Sequence, residues 1–163
     1  MVASIRKSAR GGDYEDAIQW LVDAGLIHKS YLVETLKFPV NAYANHHMFK
    51  IFLLDVGLLC AQSHLSPKTI LEGDLLFVEF KKAFTENFVT QERIARAHSE
   101  LYYWASEGVA EVDFLVEEEH GITPLKVKAG VSPKKKRLLV YGQKYAPARL
   151  VRTTAMNANA TER

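Results

Sequence analysis

The sequence predicts an α/β protein, and three observations carry that prediction. Residues 74–97 hold a broad apolar stripe at helical spacing, made of Leu75, Leu76, Val78, Phe80, Ala83, Phe84, Phe88, Val89, Ile94 and Ala95, with no Gly or Pro inside. Three strand candidates follow in succession, at 100–105, 110–117 and 121–128, the last two joined at His120-Gly121 as a hairpin. A basic helix is then expected over 133–145, opened by Pro133 and turning Leu138, Leu139 and Tyr141 inward, before a short strand at 147–153. From residue 74 the order is helix, strand, strand, strand, helix, strand.

The first half of the chain is less regular. Tyr14, Ala17, Ile18, Leu21 and Val22 recur at helical spacing over 13–24, with Asp13 as the expected N-cap and Gly25 as the stop. Leu26–Val33 alternates as a strand and is expected to turn back as a hairpin within 13–37, and Phe38-Pro39 breaks it. Residues 49–54, Phe-Lys-Ile-Phe-Leu-Leu, read as a buried strand or short helix ending near Asp55-Val56-Gly57, and Ser66-Pro67 as a short helical turn. Segments 1–40 and 41–163 are the expected units. The tail from Met156 is small and polar.

Composition bounds the class. The chain has 163 residues, 48% of them apolar and 25% charged, which suits one globular domain and excludes wholesale disorder. The single cysteine, Cys60, excludes an intrachain disulfide, and a reducing, cytoplasmic setting is expected. No apolar run is long enough to span a bilayer.

Charge is segregated. Residues 1–120 contain 11 Lys/Arg against 18 Asp/Glu, a net of −7, while residues 121–161 contain nine Lys/Arg and no acid. A basic third on an acidic body can attract phosphates or pair with its own acids, such as Glu117–Glu119.

Strand geometry selects the candidate chemistry. Side chains two apart on a strand share a face, so Glu111 aligns with Asp113, and Lys126 with Lys128 on the neighbouring strand, above a helix carrying Glu86. Two carboxylates and a lysine on adjacent strands are the parts of a metal-dependent phosphodiesterase, with Mg²⁺ on the oxygens and lysine orienting water or stabilising charge. The competing reading is a cross-strand salt-bridge ladder.

The chain also resembles the C-terminal region of prokaryotic AAA-family ATP-binding proteins. The residues that carry this are Trp20–Ile27, Phe49–Leu59, Thr85–Val89, Leu101–Trp104 and Glu111–Leu115. The resemblance implies a partial winged-helix-like segment over 1–40 and, over 41–163, a restriction-endonuclease-like fold of the PD-(D/E)xK class. On its pattern Glu86 is the helix acid, Asp113 the strand acid and Lys128 the lysine, with Asp113 and Glu111 as candidate metal ligands.

Two departures shape the functional expectation. The third strand should carry acid-x-Lys, yet it reads Lys126-Val127-Lys128. A lysine in place of the acid removes an oxygen ligand and adds a positive charge, so the resemblance implies a degenerate, inactive site without a cofactor. Mg²⁺ or Mn²⁺ belongs only to the alternative of an active nuclease. No G-x-x-x-x-G-K-[ST] run is present, so the ATPase part of such proteins is absent here. A truncated relative with exposed apolar surface, prone to homo-oligomerise, is the corresponding expectation.

The expected function is therefore a non-catalytic nuclease-like accessory module of an AAA-type ATPase relative. It would bind DNA or RNA through Lys128, Lys134, Lys135, Lys136 and Arg137. A protein-interaction module is the third possibility. His46-His47 is expected in a polar loop without metal, and Cys60 as an inert core thiol. Tyr102 and Trp104 share a face suited to the core.

Overall fold

A computed structural model describes residues 11–64, 75–97, 100–106, 110–119, 121–128, 136–147 and 149–154. Among these the protein is a mixed α/β fold of one six-stranded sheet and four helices. No helix among them is long and apolar enough to cross a membrane. The expected turn at Ser66-Pro67 lies outside the described residues, as do the side chains of Leu138 and Leu139.

A 3-10 turn at Gly11–Tyr14 leads into helix α1 (Glu15–Asp23), so Tyr14, not Asp13, holds the N-cap position, without a side-chain cap. The end matches expectation. Gly25 adopts φ +70°, its N–H donates to Val22 O, and Leu26 N–H donates to Leu21 O. These are the two bonds that close a helix through a left-handed residue.

Strand β1 (Ile27–Val33) follows, then β2 (Ala44–Leu53). The antiparallel partner of β1 is β2, further along the chain than residue 37. Strand β2 begins well before Phe49, and only Phe52 in it is buried, because it is the edge strand. His46 and His47 fall in this strand, not in a loop. Registered pairing jumps from Tyr31↔Phe49 to Leu32↔Asn45, so His46-His47-Met48 bulge outward.

Asp55 starts a helix where the sequence suggested only the end of the preceding element. Its Oδ1 accepts the Leu58 N–H at 2.8 Å, capping α2 (Val56–Gln62). Cys60 sits half-buried on α2.

Helix α3 (Leu75–Ala97), strands β3 (Leu101–Ser106), β4 (Ala110–Glu118) and β5 (Gly121–Lys128), helix α4 (Lys136–Tyr145) and strand β6 (Val151–Thr154) complete the order expected from residue 74. The sheet runs β2-β1-β3-β4-β5-β6, parallel at β1/β3 and β5/β6 and antiparallel elsewhere.

Two apolar clusters lie on opposite faces. Trp104, Val112, Leu115, Val33 and Tyr141 form one, under α4, with Trp104 and Tyr141 rings edge-to-face at 5.3 Å. Phe52, Leu101, Phe114 and Val127 form the other, covered by Val89 and Ile94 of α3. Each fully buried large side chain contributes roughly 1.5–3 kcal/mol of transfer free energy.

One irregularity prepares the site. Trp104 pairs with Val112 and Tyr102 with Leu115, so Asp113 and Phe114 together face the single Tyr103. That is a β-bulge in β4, and it explains how Val112 and Leu115 share one cluster although three positions apart.

Candidate functional site

The bulge re-aims Asp113 toward β5. Registered β4–β5 pairs run from the hairpin only as far as Phe114↔Leu125. Beyond that point the Asp113 carboxylate takes over from the ladder. Its Oδ2 accepts the Val127 N–H at 2.7 Å and its Oδ1 accepts from Lys126 Nζ at 2.7 Å. Both partners are buried, the side chains being 1% and 4% exposed. Removing a carboxylate and an ammonium from water costs several kcal/mol per ion, so such a pair persists only when each is well hydrogen-bonded.

Glu86 comes to the same place from α3. Its Oε1 is buried without a hydrogen bond, with Lys82 Nζ 3.1 Å away as an ion pair one helical turn earlier. Burial, reinforced by the charge of Asp113, holds the Glu86 carboxyl above its ordinary range, while Lys82 and Lys50 oppose this. The like charge of Asp113 places the helix acid and the strand acid in one electrostatic unit.

Glu111 is the third carboxylate. Burial works against its charge, but the hydrogen bond and charge of Lys50, helped by Lys82 and Lys126, outweigh this and hold it below its ordinary range. Lys50 reaches it from β2 and lies over the Tyr103 ring at 4.6 Å. Burial also works against Lys82, yet Glu86, then Glu111 and Asp113, raise its pKa.

The structure thus brings Glu86, Glu111 and Asp113 together with Lys50, Lys82 and Lys126. Three negative charges face three positive ones. Sequence reasoning found the three acids and Lys126 and missed Lys50 and Lys82. Lys82 had a signal, since a lysine four residues before a helical glutamate forms a standard ion pair.

The donor set does not fit a divalent cation. Mg²⁺ needs oxygens free to converge in octahedral geometry. Here both Asp113 oxygens already accept hydrogen bonds, Glu111 is held by Lys50, and Lys82 stands at Glu86. Among the described residues no group of three His, Cys, Asp or Glu side chains could hold a metal ion.

Lys128 ends β5, half-buried and in register with Thr154. Lys136 and Arg137 open α4, their side chains outside the described set, as are Lys134 and Lys135 entirely. Tyr102 and Trp104 are buried in the core as their shared face suggested.

A family model described as a domain of unknown function, DUF4143, matches residues 81–162, which contain Glu86, Glu111, Asp113 and both lysines of β5. A second, described as a domain of unknown function, DUF8612, matches residues 2–69. No curated protein and no solved structure matches the chain.

Proposed function

The chain belongs to the DUF4143 family, a domain of unknown function, and we propose that it is a non-catalytic, nuclease-like accessory domain that binds nucleic acid. The observation that carries this reading is the Lys126 ammonium seated on Asp113 at 2.7 Å. A cation is already present where a hydrolytic metal would have to sit, and it is one the chain supplies itself.

The order of elements from α3 onward and the convergence of Glu86 with Asp113 support a restriction-endonuclease-like core as the ancestry of the fold. Within the same proposal, helix α1 is what remains of a winged helix, β1 itself lying inside the sheet between β2 and β3, and the domain accompanies an AAA-type ATPase in longer relatives. The basic stretch after residue 125 supplies phosphate contacts through Lys128, Lys134, Lys135, Lys136 and Arg137. Self-association fits the exposed edge strand β2, whose Met48 and Ile51 are open to solvent.

Fluorescence anisotropy with labelled single- and double-stranded DNA tests the binding. Five phosphate contacts predict that log K falls against log salt with a slope of about −4.5 on duplex. Replacing Lys134, Lys135, Lys136 and Arg137 by Glu should abolish the signal. Absence of binding at low salt would refute the proposal.

A further inference from the structure

A cleft of about 400 Å³ opens where the last turns of α3, the 39–41 segment and strands β3 and β4 meet. Its volume lies in the range of small-molecule sites. It is separate from the charge cluster around Asp113. Arg93 of α3 lines it, and the arginine Nε is buried without a hydrogen-bond partner. No carboxylate among the described residues comes within ion-pair distance of this guanidinium. Burial pulls its pKa below the ordinary value, and only the more distant charge of Glu118 opposes this. A native fold rarely leaves a desolvated guanidinium donor unpaired, because each such group costs about 1–3 kcal/mol.

Two acids line the same cleft without reaching Arg93. Glu117 Oε1 accepts the Val40 N–H at 2.8 Å, and Glu100 accepts from the Tyr102 hydroxyl through one oxygen. Each keeps a second carboxylate oxygen. Val116 supplies apolar wall between the charges. A planar fork of donors on one side and two carboxylates on the other are complementary to a ligand with both signs of charge. A phosphate dianion matches the arginine but is repelled by the two acids.

We propose that this cleft binds a small zwitterion carrying a carboxylate and an ammonium group, the chemistry shared by free α-amino acids and short peptides. Arg93 takes the carboxylate in a two-pronged hydrogen bond. Glu100 and Glu117 take the ammonium, and the side chain lies on Val116.

The test is an NMR titration of the full chain with L-leucine and with L-leucyl-L-leucine, which separates the free amino acid from the peptide. N-acetyl-L-leucine and L-leucine amide each remove one charged end, and inorganic phosphate supplies an anion alone. The proposal predicts saturable binding of at least one zwitterion, with shifts on Arg93 and its neighbours. Each single-ended probe should bind at least about tenfold more weakly. Arg93→Gln should weaken the zwitterion about tenfold and leave the melting temperature nearly unchanged, since among the described residues the guanidinium has no carboxylate partner to lose. The probe series on the unaltered chain reads the same assignment if that variant fails to fold. No saturable binding of either zwitterion, phosphate binding as tightly, or affinity that survives a folded Arg93→Gln would each overturn it.

Discussion

Replacing Lys126 by Met isolates the interaction at the centre of the site. Lys126 is 3% exposed and Asp113 is 1% exposed, and they meet at 2.7 Å. Methionine keeps much of the stem volume and removes the ammonium. Asp113 then retains the Val127 N–H as its bonded donor among the described residues, in a site it shares electrostatically with Glu86. Removing one partner of a buried pair costs about 3–5 kcal/mol, a large part of the roughly 5–15 kcal/mol that holds a domain together. For a chain of this size that corresponds to a fall of roughly 6–20 °C in melting temperature. Asp113→Asn alone strands the ammonium and should cost a similar amount. The double variant Asp113→Asn/Lys126→Met removes both charges while asparagine still accepts the Val127 N–H, so it should recover most of the loss. Urea denaturation of the four proteins gives the coupling energy, expected at about 2 kcal/mol or more. Two singles that each cost under about 1 kcal/mol and simply add would refute the view that the pair is dry and mutually dependent.

The two outer acids should respond to pH with opposite sign. Glu86 is raised in the fold, so the native state holds its proton better than the unfolded state, and stability falls as pH rises from about 4.5 through the raised value. Glu86→Gln should therefore stabilise the protein at neutral pH, with the gain vanishing in acid. Glu111 is lowered, so its contribution is present above about 4.5 and is lost as pH falls through the folded value. Glu111→Gln should destabilise at neutral pH and converge with the parent in acid, and urea midpoints across that range check both. Gly25→Ala has open space for its Cβ, so its cost is backbone strain at φ +70°, about 1 kcal/mol by the same denaturation.

What was legible in the sequence follows from how local each signal is. The apolar period of 74–97 and the turn at His120-Gly121 between two strand candidates are local, and α3 and β3–β5 stand where they predict. Helix α2 escaped because Asp55-Val56-Gly57 reads as a stop, whereas the Asp55 side chain turns it into a start. The early part of β2 escaped because His46-His47-Met48 has no apolar alternation, which an edge strand that bulges outward does not need. The bulge at Asp113-Phe114 depends on register against β3, which no single strand encodes. In the site, Glu86 and Asp113 could be found from element order and strand parity. Lys50 could not, since it sits among Phe49, Ile51 and Phe52 and its partner Glu111 lies 61 residues away. Arg93 left no sequence signal, because what distinguishes it is a buried Nε with no partner among the described residues.

The most direct test of the central claim is a Mn²⁺ titration of the unaltered chain by electron paramagnetic resonance, run beside a DNA-cleavage assay in the same samples. If Lys126 stands in for the metal, free Mn²⁺ keeps its full signal at equimolar protein and the DNA, though bound at low salt, stays intact. Loss of the Mn²⁺ signal together with cleavage that Asp113→Ala abolishes would contradict the account and make the chain a working nuclease.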